Sequence, residues 1–274
     1  MAESKESLYK AHVKNLRSVR LGIDHSYRYL KRSLASEDSS AASALLRVYM
    51  LLAGAWAEAR LRKLIYEPSG FTIAEIDDIL DHGNQLDRWK RAVELGFSKR
   101  YSSTFPLTSQ KIGRTAFYRL TDIISIINSD LKPLIEMRNK LAHGQWERPL
   151  TNNEKGFSTE YTRSLVSENA LSAHYKLAII EHISIVVHEL VAGGPAFERD
   201  FDYNFGRLET ARHQLANHSY PLWQAHLVSK AKKGLRLREQ AWTHRSVSSV
   251  GRPSAAHSTT PRSITSVLTS LLRR

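Results

Sequence analysis

The sequence contains no cysteine in its 274 residues. This absence excludes disulfide bonds, thiolate metal ligands and a cysteine nucleophile. The chain also lacks the HExxH pattern of helical zinc sites, any dense carboxylate cluster, and the phosphate-binding patterns G-x-x-x-x-G-K-[ST] and G-x-G-x-x-G. We therefore expect neither a metal nor a cofactor.

Long uninterrupted apolar runs are also missing. The N-terminus, MAESKESLYKAHVKNL, does not contain the apolar core of a signal peptide. The most apolar segment, YKLAIIEHISIVVHELVAGG, is interrupted by one lysine, two glutamates and two histidines. Such charges are costly inside a bilayer, so this segment is predicted to be a buried core helix. We expect a cytoplasmic protein without a membrane partner.

Acidic residues are scarce towards the C-terminus. The formal net charge is +13, from 40 lysines and arginines against 27 acids. Residues 196–274 hold 13 of these cations and five of the acids, whereas the first 195 residues carry a net charge of only +5. This asymmetry indicates a polyanionic partner, most simply nucleic acid, although a merely soluble basic protein is the alternative.

Apolar residues recur at intervals of three and four through most of the first 195 residues, which predicts helices. With 42% apolar residues the chain can form a proper core. The sequence thus predicts an all-α bundle of five or more helices over residues 1–195. The predicted helices cover 5–34, 40–66, 72–83, 85–97, 114–128, a segment beginning at Pro133, and 167–192, with a connector over 99–113 and a loop over 145–165.

The composition changes after Gly194 and Pro195. Residues 196–245 are predicted to form a basic helical extension of one or two amphipathic helices, broken near Pro221. Residues 246–274, rich in Ser, Thr and Pro up to 262, are predicted to be a largely disordered tail. The terminal SITSVLTSLLRR could form a short helix.

One segment, PLIEMRNKLAHGQW (133–146), places Arg138, Asn139 and His143 at the end of an apolar helix. A glycine such as Gly144 typically ends a helix by adopting the left-handed backbone conformation, and cations are favoured near a helix C-terminus. Asn139 and His143 are four residues apart and share a helix face. Arg138 falls instead within the predicted buried arc, formed by Leu131, Leu134, Met137 and Leu141.

A guanidinium in that arc needs a partner, because burying an unpaired charge is costly. An ion pair with an acid such as Glu58 would satisfy Arg138, and so would phosphate held at a dimer interface. The segment is therefore either an active site or a helix end with structural cations.

The Arg–His spacing alone is uninformative. Chance supplies about one R-x4-H pair in a chain with this many arginines and histidines. Arg20/His25 and Arg252/His257 indeed show the same spacing. Only the pair at 138 and 143 lies at the end of an apolar helix, with Asn after Arg and AHG closing the turn.

The full string RNKLAHG (138–144) resembles the catalytic motif of the HEPN superfamily. Its members are all-α domains whose R-x4–6-H element, commonly with Asn after Arg, is the active centre of metal-independent ribonucleases. The resemblance rests on these seven residues and on the helical order of residues 1–195. It implies an HEPN-like helical bundle, an RNA substrate, and a homodimer in which two motifs face each other across a cleft.

The resemblance further implies products with a 2′,3′-cyclic phosphate and a 5′-hydroxyl. Such domains commonly serve as toxins or anti-phage defence effectors, so an antitoxin or a defence-system protein is an implied partner. Some HEPN toxins carry a tyrosine, modified by their antitoxin, two residues after the histidine. This chain has Gln145 there, so that mode of regulation is not implied.

The residue types suit RNA cleavage. A histidine can exchange the proton of a 2′-hydroxyl near neutral pH, and an arginine fork matches two phosphate oxygens. Asn139 could orient His143 or bind a phosphate oxygen. We predict Arg138, Asn139 and His143 as catalytic residues. Glu58 is our candidate for the acidic residue that family members place on an earlier helix, and an ordinary surface or ion-paired glutamate is its alternative.

A second cluster of cations indicates where nucleic acid could bind. The segment VSKAKKGLRLR is flanked by two tryptophans, which suits backbone binding with stacking of bases, although a solvated helix face is the alternative. The alternative to a ribonuclease is a non-catalytic helical module, binding nucleic acid or regulating a partner. The predicted nucleic-acid-binding residues are Lys140, Lys230, Lys232, Lys233, Arg236 and Arg238.

Overall fold

The computed structural model describes residues 3–151 and 153–249, with side chains up to residue 242. These residues form helices and no β-strand, apart from one isolated antiparallel bridge between Leu150 and Phe157. The predicted all-α class is therefore confirmed. The helices are α1 (Lys5–Ala35), α2 (Ser39–Ile65), α3 (Ile73–Asp81), α4 (Gln85–Arg100), α5 (Ser109–Ile112), α6 (Arg114–Ile126), α7 (Lys132–Ala142), α8 (Thr159–Ser167), α9 (Ala170–Ala192), α10 (Ala196–Asn217) and α11 (Tyr220–Ser249).

The core is built around α2 and α9. Both helices are apolar on most of their circumference, so they are stable only where neighbours cover them. Helices α1 and α7 pack on α2, while α4 and α10 pack on α9. By length and hydropathy α2 and α9 could also cross a bilayer. That is weak support for a membrane protein, because core helices of a folded bundle have the same composition.

Side-chain caps set several of the helix starts. Asp38 accepts a hydrogen bond from the Ala41 N–H and begins α2, as the sequence SEDSS indicates. Thr72 and Glu75 form a reciprocal capping box at α3, and Asn169 with Ser172 does so at α9. Each cap satisfies backbone N–H groups that the first helical turn leaves without an acceptor.

Two predicted irregular segments contain helix. Ser158 caps α8, which occupies the end of the predicted loop 145–165 and buries Leu165 in the core. The Asn, Pro and Gly residues that indicated a loop end at Gly156, and the polar sequence after them hid the helix. The predicted connector 99–113 likewise contains the four-residue α5.

Helices α6 and α7 are joined by a π-helical turn, Ile127–Leu131, instead of a break. The Lys132 N–H bonds the Ile127 carbonyl, five residues earlier. Pro133 lies in the first turn of α7, as predicted. Its ring has no N–H and would clash with the carbonyl of Ser129 in a regular helix, and a widened turn removes that conflict.

The compact unit does not end at residue 195, where the composition changes. It extends over Met1–Ser229, and a second unit covers Lys230–Arg274. Phe197, Phe201 and Leu208 of α10 are buried in the core of the first unit. The break between α10 and α11 lies near Pro221, as predicted.

The predicted tail begins inside a helix. Its first residues, 246–249, form the end of α11. The rest of that prediction, including the short terminal helix, lies outside the described residues. The described part of the second unit is the helical segment 230–249.

We expect the bundle to lose stability as the pH falls from about 7 to 5. Burial lowers the pKa of His12, His182 and His188. The unfolded chain, with histidines near pKa 6.5, therefore binds more protons than the folded chain in this range. The stabilisation from keeping these histidines neutral is therefore fully present above pH 6.5. The free energy of unfolding falls as the pH drops through the histidine pKa of the unfolded chain towards the lowered pKa values of the folded chain. Urea unfolding at several pH values measures this, and His182→Gln should flatten the dependence. An unchanged pH dependence in that variant would contradict the expectation.

Candidate active site

The site begins with a close contact between α2 and α7 at Gly54. A Cβ placed on Gly54 would lie 2.3 Å from the Cβ and 2.6 Å from the Cγ of Arg138. Only glycine permits this approach. Four residues later, on the same face of α2, Glu58 accepts a hydrogen bond from Nη2 of Arg138. The stretch GAWAE thus provides both the space beside Arg138 and its acidic partner.

Arg138 makes two side-chain contacts. Its Nη1 donates to Oδ1 of Asn139 at 2.9 Å, and its Nη2 contacts Glu58. The Arg138 side chain is 26% exposed and that of Glu58 is 34% exposed, so the pair lies at the edge of the core. Of the two partners considered for Arg138, the carboxylate is present within the chain. A catalytic role for either residue stays a prediction.

The end of α7 is a Schellman motif. His143 is the C-cap residue and Gly144 follows with φ +74°. The Gly144 N–H bonds the Leu141 carbonyl at 3.1 Å, and the Gln145 N–H bonds the Lys140 carbonyl at 3.0 Å. The predicted left-handed glycine cap is confirmed. His143 is consequently held at a fixed position beside the last turn.

His143 and Asn139 line an open cleft of about 640 Å³. The cleft lies along one face of α7, from Lys132 past Glu136 to His143. Both His143 and Asn139 are exposed. Among the described residues, the His143 imidazole makes no hydrogen bond or ion pair. Arg138 and Glu58 are not part of the cleft lining, and Arg138 reaches it only through Asn139.

The loop after α7 is folded by residues of the motif. Gln145 accepts the Leu150 N–H through Oε1 at 2.8 Å, and Lys140 Nζ donates to the Leu150 carbonyl at 2.8 Å. Trp146 Nε1 donates to the Leu141 carbonyl at 2.9 Å. Lys140 is therefore a loop-holding residue in this structure, and binding of nucleic acid by it stays a prediction. Gln145 has a structural part in the same loop.

Two residues of the cleft were not predicted as site residues. Tyr161 of α8 and Glu136 of α7 both line it. Burial is the main cause that raises the pKa of Tyr161, and a hydrogen bond with the Glu136 carboxylate raises it further. Glu136 is seven residues before His143, so helical spacing could have placed it on the same face. Tyr161 fell in the predicted loop and gave no such signal.

The charge of the cleft is nearly balanced. Its lining includes the carboxylates of Asp87, Glu136 and Glu154 and the ammonium groups of Lys132 and Lys140. One chain therefore offers an RNA backbone little electrostatic attraction in the cleft itself. Cations that would hold a polyanion must come from elsewhere on the chain or from a second copy.

The predicted C-terminal cations belong to the second compact unit. All five are exposed on α11. Of the tryptophans that flank them, Trp242 is 72% exposed, whereas Trp223 packs against the core of the first unit. These cations are therefore accessible to solvent. They are Lys230, Lys232, Lys233, Arg236 and Arg238.

Comparisons of the chain with protein-family models, with curated proteins and with solved structures found no match. Within the described residues no three His, Asp or Glu side chains come together as a metal site. The function must therefore be proposed from the motif and from the geometry around it.

Gly54→Ala should destabilise the bundle by about 1–3 kcal/mol, because the new methyl group overlaps the stem of Arg138 and forces α2 and α7 apart. Urea unfolding of the purified variant measures the change in the free energy of unfolding. Gly22→Ala in α1 is the matched control. Its new methyl group would meet Leu52 at an ordinary 3.5 Å, so it should be neutral or stabilising by up to ~1 kcal/mol. Equal stability of the Gly54→Ala protein and the wild type would refute the contact.

Proposed function

We propose that this protein is a metal-independent endoribonuclease of HEPN type that cleaves RNA with Arg138, Asn139 and His143. The observation that carries the proposal is the shared cleft of Asn139 and His143, with Arg138 bonded to Asn139 behind it. The resemblance of RNKLAHG to the HEPN motif supplies the reaction class. It also suggests the biological role, a cytoplasmic toxin or anti-phage defence effector with an antitoxin or defence-system partner.

In the proposed reaction a base removes the proton of a 2′-hydroxyl, and the 2′-oxygen attacks the adjacent phosphorus. The bond to the 5′-oxygen breaks, and an acid protonates that oxygen as it leaves. The products are a 2′,3′-cyclic phosphate and a 5′-hydroxyl. The exposed imidazole of His143 can reach a substrate in the cleft, which general acid–base catalysis requires.

Asn139 has a defined orientation in this scheme. A guanidinium has only donors, so the oxygen of the Asn139 amide must face Arg138. The amide NH₂ is then left as a donor. A phosphate oxygen can accept from this donor, and so can the unprotonated nitrogen of a neutral His143 imidazole, so the donor suits both roles predicted for Asn139. Glu58 acts as a positioning residue, because it holds the other side of the Arg138 guanidinium.

A homodimer would complete the site. One histidine cannot easily be both base and acid in a single step, and a second copy would supply another His143 across the cleft. It would also add cations to a cleft whose own charge is nearly balanced. The cations of α11 from Lys230 to Arg238 would help to hold the RNA.

A non-catalytic helical module is the second candidate, and two observations favour it. The Schellman motif accounts for Gly144, and the ion pair with Glu58 accounts for Arg138, without any reaction. Neither accounts for the imidazole of His143, which makes no hydrogen bond among the described residues. His143 is therefore the residue that separates the two candidates.

The test is cleavage of mixed cellular RNA by the purified chain in EDTA, with analysis of the product ends. We expect cleavage that persists in EDTA and leaves 2′,3′-cyclic phosphate. His143→Ala should lower the rate by about 10²–10⁴-fold, since that is the usual contribution of a general acid or base. His213→Ala is the matched control, because Arg207 and His213 have the spacing R-x5-H and His213 is exposed on α10.

Two results would overturn the proposal. Equal cleavage by the wild type and His143→Ala would place the activity at another site or in a contaminant. RNA binding without cleavage by both proteins would support the non-catalytic module instead. His143 and His213 are both exposed, so His143→Ala and His213→Ala should each keep the wild-type free energy of unfolding within about 0.5 kcal/mol. Urea unfolding checks this.

A further inference from the structure

Helix α1 carries all the net positive charge of the first 195 residues. Its 31 residues, Lys5–Ala35, include eight lysines and arginines and two acids. The remaining residues up to 195 include 19 lysines and arginines and 20 acids. The positive charge of this part of the chain is therefore concentrated on one helix.

Most of these cations lie on the exposed side of α1. The residues at positions 10, 14, 17, 21, 25, 28 and 32 follow each other at intervals of three and four, so they share one face of the helix. The opposite face, with Ile23, Leu30 and Leu34, is buried in the bundle. At 1.5 Å per residue this face is about 33 Å long. We call it the α1 stripe, and it consists of Lys10, Lys14, Arg17, Leu21, His25, Arg28 and Arg32, all exposed.

Few acids neutralise the α1 stripe. Lys10 pairs with Glu6 at its N-terminal end. Among the described residues no acidic side chain pairs with Lys14, Arg17 or Arg28. Elsewhere in the bundle many cations are engaged in ion pairs, as in Lys63–Glu67, Arg91–Asp78, Arg100–Glu198 and Lys176–Glu168.

We propose that the α1 stripe binds the phosphodiester backbone of RNA. A row of exposed cations with few counter-charges is what a polyphosphate chain requires, and three of the five cations are arginines, whose forks match phosphate oxygens. The choice of RNA among polyanions rests on the proposed function. The nearly balanced charge of the cleft supports it, because an RNA substrate would need its backbone held by cations outside the cleft.

An anionic membrane surface fits the α1 stripe less well. A helix that binds a membrane directs an apolar face towards the lipid. The apolar face of α1 is buried against the bundle, and the exposed side offers only Leu21 and Tyr29 as large apolar residues. Arg32 lies 5.3 Å from the ring of Tyr29, so even that ring is close to a cation.

The test compares two triple variants of the full chain with the same change in net charge. One removes stripe cations, Lys14→Gln, Arg17→Gln and Arg28→Gln. The matched control removes three exposed cations elsewhere in the first unit, Arg114→Gln, Lys155→Gln and Arg163→Gln. Glutamine is a good helix former, so α1 should stay intact. Far-ultraviolet circular dichroism and thermal unfolding check the fold.

The probe is a labelled single strand of 2′-O-methyl RNA, which cannot be cleaved through its 2′-oxygen. We expect the stripe variant to bind it more weakly than the wild type. The slope of log affinity against log salt concentration should fall in magnitude by about 2, since each lost phosphate contact removes roughly 0.7. The control variant should keep the slope of the wild type. If the triple variant does not fold, Arg17→Gln and Arg28→Gln are measured singly, each with a loss of about 0.7.

Three results would overturn the proposal. Unchanged binding by the stripe variant excludes phosphate contacts there, and an equal loss in both triple variants attributes binding to net charge. Loss of binding to phosphatidylserine vesicles with unchanged RNA binding would assign the stripe to a membrane. The result is separate from the cleavage test. If the chain binds RNA through the stripe but does not cleave it, this inference stands and the proposed function is wrong. If the chain cleaves RNA and the stripe variant binds normally, the proposed function stands and this inference is wrong.

Discussion

The approach of α7 to α2 at Gly54 determines the geometry of everything that follows at the candidate site. Because Gly54 has no Cβ, the stem of Arg138 lies against the backbone of α2 and its guanidinium meets Glu58 one turn further on. A glycine inside a helix costs roughly 0.5–1 kcal/mol relative to alanine, and close packing of the two helices offsets that cost. Asn139, whose amide oxygen accepts a hydrogen bond from Arg138, then lines the cleft.

Both ends of α7 are fixed by local chemistry. At its start the missing N–H of Pro133 is accommodated by the π-helical turn, and at its end Gly144 adopts the positive φ that the Schellman motif requires. An isolated helix of eleven residues would be marginal in water. Packing on α2 and the two defined ends together hold His143 at a constant separation from Arg138, which acid–base chemistry on a bound phosphate would need.

Sequence periodicity predicted the long helices well because their apolar faces are buried and their starts carry cap residues. It missed α8, whose polar sequence follows a run of loop-forming residues, and it treated Pro133 as the start of a separate helix when a π-turn joins α7 to α6. For the site, the place of Arg138 and His143 at the end of an apolar helix and the glycine cap could be predicted from the sequence, and helical spacing could have added Glu136. The function of Gly54 could not, because no pattern along the chain shows which side chain lies opposite a glycine. Tyr161 comes from a segment predicted as loop, and only the tertiary fold brings it to the cleft.

The cations of the α1 stripe are not part of the cleft lining, and this determines how the two surfaces would act together on an RNA strand. At physiological ionic strength, exposed charges further apart than about 8 Å are largely screened from each other. None of the α1 stripe residues lines the cleft, so the stripe cations would act on a strand mainly by direct contact with its phosphates. The cleft itself, with carboxylates and ammonium groups nearly in balance, retains a short fragment weakly. A strand bound in the cleft would gain affinity from the stripe only when it is long enough to contact both surfaces at once, so the length of the strand would influence how well RNA is held.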